Sequence, residues 1–183
     1  MRLPIVGVMG SGAYSDRERC VALGRWLAGE RVHLLTGGGG GVMSAVSRAF
    51  FETRNRAGLV LGILPASSAG GGEAPEGYPN PWVEIPIRTH LHLSGSQGTD
   101  VASRNHINVL SCDVLIAMAG SWGTRSEVEL ALRYRKPIVA YLQQRSDIPR
   151  LPESVRVVES FEEVKAFVRE ALTALLDSSA KRS

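Results

Sequence analysis

Short, continuously apolar runs alternate along this chain with longer stretches of helical period. The runs are Ile5–Met9, Val32–Thr36, Leu59–Leu64, Val83–Ile87, Val114–Met118 and Pro137–Leu142, with a weaker one at Val155–Val158. A strand with one wet face alternates apolar and polar residues. A strand covered on both faces is apolar throughout, and that is the signature of a parallel sheet. Helical patterns fill the gaps at Asp16–Gly29, Val42–Arg54, Thr99–Leu110, Thr124–Arg135 and Phe161–Leu176. The last carries Phe161, Val164, Phe167, Val168, Leu172 and Leu175 as one stripe. The alternation predicts a doubly wound α/β fold whose sheet is mainly parallel and has about six or seven strands. Right-handed crossovers place all strand C-termini on one edge, where such sheets bind ligands.

The bulk properties fit a single domain. The chain has 183 residues, 44% hydrophobic and 21% charged, enough for one sizeable core. The domain is expected over 1–177, followed by a disordered basic tail at 178–183 that holds Lys181 and Arg182. Cys20 and Cys112 are too few for a disulfide framework and read as small core residues of a reduced protein. The opening MRLPIVGVMG reads as a first strand rather than a signal peptide, and no run reaches membrane-spanning length, so the expected location is the cytoplasm. Net charge is +3, with no basic stripe interleaved with aromatics. Nucleic acid is therefore not an expected partner, and a small anion fits better. One loop is long, ASSAGGGEAPEGYPNPW at Ala66–Trp82. Its Gly, Pro and Ser content suits either a lid or a mobile insertion.

Three turns fall on the predicted ligand edge. The first is GSGAYSD at Gly10–Asp16, the second TGGGGGVM at Thr36–Met43, and the third AGSWGT at Ala119–Thr124. Each precedes a helix, whose first N–H groups are unpaired and whose dipole is positive there, so each suits a phosphate. The candidate ligand contacts are Gly10, Ser11, Gly12, Thr36, Gly37, Gly38, Gly39, Gly40, Gly41, Gly120, Ser121, Gly123 and Thr124. Read from Gly37, a G-x-G-x-x-G fingerprint fails at Val42, and no G-x-x-x-x-G-K-[ST] occurs. Neither a typical NAD site nor a P-loop is indicated. The five glycines Gly37–Gly41 still need a cause, since each costs about 1 kcal/mol of ordering without a side chain to pack. Ligand contact supplies one.

Other features have plainer readings. Thr124–Glu127, Ser15–Glu18 and Ser160–Glu163 each match an S/T-x-x-E capping box, which makes Glu127 a helix cap on composition alone. His90 and His92 lack nearby Cys or carboxylate partners, so no metal site is expected. Trp122 either stacks on a flat ring or covers the helix start. Asp100 and Ser103 either orient Arg104 or are solvated.

The motifs resemble a known family. TGGGGGVMSAVSRAF resembles the GGGxxGLM-type turn of the "lonely guy" (LOG) family, long mislabelled as lysine decarboxylases, and AGSWGTRSE resembles its PGGxGTxxE motif. SRNHINVLSCDVLIAM is similar to its Arg-bearing helix and following strand. The resemblance spans Ile5 to about Leu142. It implies a Rossmann-like fold, a homo-oligomer (dimer or tetramer) and, in many members, hydrolysis of the N-glycosidic bond of cytokinin nucleoside 5′-monophosphates. On that reading Arg104 binds near the phosphoribosyl group and Glu127 supports the positive charge developing at the anomeric carbon. Gly120, Ser121, Gly123 and Thr124 then cradle the phosphate. Ala119 replaces the motif proline, Ser121 its second glycine, and Asn105 follows Arg104 where lysine is usual. These departures, with PIVGVMGSG, are similar to the branch that includes the molybdenum cofactor carriers, which bind a phosphorylated pterin without known hydrolysis.

Three readings follow. The first is a binder of a phosphorylated nucleotide-like or molybdopterin-type ligand, with Arg104, Asn105 and Glu127 joining the turns and no cofactor required. The second is a nucleoside 5′-monophosphate phosphoribohydrolase, with Arg104 and Glu127 catalytic. The third is a non-catalytic oligomeric scaffold.

Overall fold

The computed structural model describes residues 2–180. Its strands are β1 (Ile5–Met9), β2 (His33–Thr36), β3 (Val60–Leu64), β4 (Ile85–Arg88), β5 (Val114–Ala117), β6 (Ile138–Tyr141) and β7 (Val157–Val158). The helices are α1 (Arg17–Gly29), α2 (Gly41–Phe51), α3 (Asn105–Ser111), α4 (Trp122–Arg133) and α5 (Phe161–Ala180). All strands pair parallel, in the order β4-β3-β2-β1-β5-β6-β7. The fold is a Rossmann-like, doubly wound α/β sheet of seven strands, as the apolar runs predict.

The period of two along a strand explains why the runs are continuously apolar. Val6, Val8, Leu34, Val114 and Ile116 face the layer of α1, α2 and α5, where they meet Leu23, Leu27, Val46, Phe50, Val164 and Val168. Met9, Leu35, Leu115 and Ala117 face α3 and α4, where they meet Val109, Val128, Leu130 and Ala131. The chain winds one way from β1 and the other way from β5, so the switch point lies between these two strands. Among the described residues no helix is long and apolar enough to cross a membrane.

Several expected boundaries shift for identifiable reasons. The helix expected at Thr99–Leu110 is only Asn105–Ser111. The Gly- and Ser-rich segment before it forms a short 3-10 turn at Gly95–Gln97 and a bridge from Leu93 to Ser103. Two of the three expected capping boxes are replaced. α1 starts on Asp16, whose carboxylate accepts from Arg19 N–H at 3.1 Å. α4 starts on Ser121, so Thr124 lies inside the first turn and Glu127 is no cap. The third box is real: Ser160 and Glu163 exchange side-chain and backbone hydrogen bonds before α5. α5 continues to Ala180, and the rest of the expected tail, 181–183, lies outside the described residues.

Candidate functional site

Because β2, β1 and β5 are neighbours, the turns that follow them stand side by side at the C-terminal edge. Ser11 ties all three together. Its N–H donates to the Ala119 carbonyl at 3.0 Å, and its carbonyl accepts from Val42 N–H at 2.9 Å. Its hydroxyl accepts from the N–H groups of Ala13 and Tyr14 at 3.2 and 3.0 Å. Other amides of the turns are also engaged internally. Gly120 N–H donates to the Asp147 carbonyl at 3.0 Å, and Gly38 N–H to Thr36 Oγ1 at 3.1 Å.

The five-glycine run has a reason that the sequence hides. A Cβ on Gly37 would lie 2.6 Å from Arg104 Nη2, one on Gly39 2.6 Å from the Tyr78 hydroxyl, and one on Gly40 2.8 Å from the Gly12 carbonyl oxygen. Gly41 has φ +56°, and a Cβ there would collide with the Ser11 carbonyl oxygen. Protein therefore crowds the run from several sides. The far end of the long loop takes part: Asn80 donates from its backbone to the Gly38 carbonyl at 2.7 Å and from Nδ2 to the Gly39 carbonyl at 2.9 Å.

Beneath the second turn lies a buried polar cluster. Arg104 and Glu127 are each only 7% exposed. Arg104 Nη1 donates to the Ile63 carbonyl at 2.6 Å and to Asn108 Oδ1 at 3.4 Å. Asn108 Nδ2 donates to Glu127 Oε1 at 2.8 Å. Arg104 Nε is buried with no partner. Burial lowers the Arg104 pKa, opposed by the charge of Glu127 and by Tyr78. Burial pushes the Glu127 carboxyl up, opposed by the Arg104 charge and the Asn108 hydrogen bond. Asn108 is the residue that the sequence reading missed. It sits four residues after Arg104, one helical turn on, and that spacing was the available signal.

The structure thus brings Gly10–Gly12, Thr36–Gly41 and Ala119–Thr124 to one edge, with Arg104 and Glu127 packed below. Asn105 is buried, and its N–H donates to Ser103 Oγ at 3.2 Å. Thr124 is also buried. The N-caps of α2 and α4, Gly40 and Ser121, are both extended, and neither caps its helix through a side chain. The α4 start is flanked by Trp122, which is 41% exposed and covered by the guanidinium groups of Arg125 and Arg150 at 5.2 and 5.9 Å. Next to the switch point is a cavity of about 100 Å³ edged by Tyr14, Asp16, Arg19, Tyr141 and Asp147.

Histidines lie elsewhere. His106 Nδ1 bonds the Tyr134 hydroxyl at 2.6 Å, and His33 Nδ1 accepts from Leu59 N–H at 3.0 Å. Among the described residues no group of three or more His, Cys, Asp or Glu is placed to hold a metal ion.

Other proteins are similar to this chain in sequence or in fold. The model of the SLOG cluster4 family matches residues 3–168. An uncharacterized protein of Archaeoglobus fulgidus is 31% identical over 166 residues, 89% of this chain and 93% of that one. The molybdenum cofactor binding protein of the phototrophic bacterium Rippkaea orientalis superposes with a TM-score of 0.70 at 32% identity, covering 94% of this chain and 99% of that one. The Moco carrier protein of Chlamydomonas reinhardtii does so with a TM-score of 0.69 at 29% identity, over the same shares.

Proposed function

The chain belongs to the SLOG cluster4 family, and from that membership we infer that it binds a phosphorylated pterin of the molybdenum-cofactor type at the C-terminal edge of its sheet. The observation that carries this reading is the start of α4. Its cap, Ser121, is extended and makes no side-chain cap bond, an arrangement that suits an external anion on the first-turn amides. That turn lies on the same edge as the first two, in a chain 32% identical to a molybdenum cofactor binding protein.

The ligand's phosphate sits on the amides of Trp122, Gly123 and Thr124, with the Ser121 hydroxyl beside them. Ser11, Gly12, Gly40 and Gly120 form the rim. Gly10, Thr36 and Gly37–Gly39 hold the turns in shape, because neighbouring protein already fills the space around Gly37 and Gly39. Asn105, Arg104 and Glu127 support this edge from beneath.

The same geometry weighs against the glycosidase reading. That reaction needs the Glu127 carboxylate to face an anomeric carbon, whereas Glu127 is buried and accepts from Asn108. Self-association, implied by the resemblance, is supported by edge strand β4, where Ile85 and Ile87 are exposed.

The test is co-purification. The protein is expressed in a host that makes molybdenum cofactor, denatured and oxidised, and the fluorescent pterin released is quantified. One pterin per chain, or a simple fraction of it, is the expected result. No pterin above that of an unrelated protein purified in parallel overturns the reading. Incubation with AMP and an isopentenyl-adenosine monophosphate checks the alternative. Release of free base that vanishes in Glu127→Gln would establish the hydrolase instead.

A further inference from the structure

A groove of about 1080 Å³ runs between α1 and α2. It opens beside the first two turns, at Ser15 and Gly40, and reaches Thr53 beyond the end of α2. The two helices touch at its floor, where a Cβ on Gly24 would lie 2.6 Å from the Val46 carbonyl oxygen. The α2 wall carries the small residues Ala45 and Ala49, and Ala49 Cβ shares that contact, 2.8 Å from where the Gly24 Cβ would stand.

The charge of this groove is one-sided. Arg17 and Arg25 line it from α1 and Arg48 from α2, against one acid, Glu52. Glu52 is already paired with Arg48 at 2.9 Å. Arg17 and Arg25 have no ion-pair partner among the described residues. They are eight residues apart on α1, about 12 Å along the helix axis at the usual rise. Two unpaired cations along a concave wall hold a raised potential in it, which selects an extended anion over a neutral or cationic guest. An apolar helix from a partner would have to bury both charges unpaired, at high cost. Farther along, the Arg48 guanidinium lies over the Trp82 ring at 5.2 Å, and Trp82 leans on Phe51 at 5.8 Å between centroids. That stack offers a flat, polarisable surface next to the cations.

We propose that the α1–α2 groove binds a nucleoside polyphosphate, its phosphates along Arg17 and Arg25 and its base against the Arg48–Trp82 stack. This site adjoins the sheet edge at Gly40 but draws its charged contacts from α1 and α2, and its assignment does not depend on the pterin reading.

The experiment is calorimetric titration of the full chain with AMP, ADP, ATP and inorganic tripolyphosphate at physiological salt. Affinity is expected to rise from AMP to ADP to ATP, with ATP tighter than tripolyphosphate. Arg17→Gln and Arg25→Gln each weaken ATP binding about tenfold, the scale of a lost charged hydrogen bond. Both side chains are exposed, so the variants keep the wild-type thermal melt. Arg133→Gln, an exposed arginine on α4, leaves binding unchanged. Ser121→Asp at the sheet edge leaves ATP binding unchanged while lowering pterin retention at least tenfold, which distinguishes the two sites. Equal affinity for AMP and ATP, an equal loss in Arg133→Gln, or loss of ATP in Ser121→Asp overturns the proposal. Tripolyphosphate binding as tightly as ATP overturns the assignment of a base.

Discussion

The Arg104 guanidinium occupies the space that a side chain on Gly37 would need, with Nη2 2.6 Å from where that Cβ would stand. Nη1 of the same group is fixed by the Ile63 carbonyl at 2.6 Å, so the arginine cannot swing aside without losing that bond. The glycine turn is therefore moulded on a buried cation. Gly37→Ala should destabilise the protein by about 1–3 kcal/mol, the usual cost of overpacking. In urea denaturation the effect should be strongly non-additive with Arg104→Ala, because the contact is then gone. Additive losses would show that Gly37 and Arg104 do not compete for space.

Ser121 caps α4 by position but not through a side-chain bond. Ser121→Asp places a carboxylate where a helix start favours one, so stability should rise by about 0.5–1 kcal/mol. The same carboxylate repels a phosphate from those amides, so pterin retention should fall at least tenfold. A thermal melt and the pterin assay read the two effects separately. Opposite signs are the expected outcome, and a stabilised variant that still carries pterin would place the phosphate elsewhere.

Burial holds the Glu127 carboxyl above its ordinary value of 4.5 in the folded state. An acid raised on folding favours the native state while protonated. That contribution is fully present below the unfolded pKa and is lost as pH rises through the folded one. The stability of the wild type relative to Glu127→Gln should therefore fall as pH rises from below 4.5 towards neutrality. Urea unfolding of both proteins across that range measures it. A difference that is flat or rises with pH would mean that Arg104 holds Glu127 ionised throughout.

Asn80 joins the long loop to the glycine turn through Nδ2 to the Gly39 carbonyl, and its Oδ1 accepts from Trp82 N–H at 3.1 Å. Asn80→Ala removes both side-chain bonds and should cost about 1–3 kcal/mol. Amide exchange should quicken at Gly39–Gly41 while the β1 and β5 amides stay protected. Unchanged exchange in the turn would show that the loop does not hold it.

Much of the architecture was legible because it is written locally. The apolar runs at Ile5–Met9 and Val114–Met118 matched strands to within a residue, since period-two burial on both faces leaves no polar position. The Ser160–Glu163 box could also be read directly, because its partners are three residues apart. The identical pattern at Thr124–Glu127 misled, because Glu127 turns inward to Asn108, a contact nineteen residues distant that local spacing does not encode.

The chain's own order of apolar and helical segments determined a parallel, doubly wound sheet and brought three turns to one edge. Only the tertiary structure decided what those turns contain. The glycines are crowded by Arg104, Tyr78 and the first turn, and Arg104 is the N-cap of α3, more than sixty residues away. Periodicity is a property of neighbours along the chain. Which buried cation fills the space beside a glycine depends on how distant segments pack, and no local pattern carries that information.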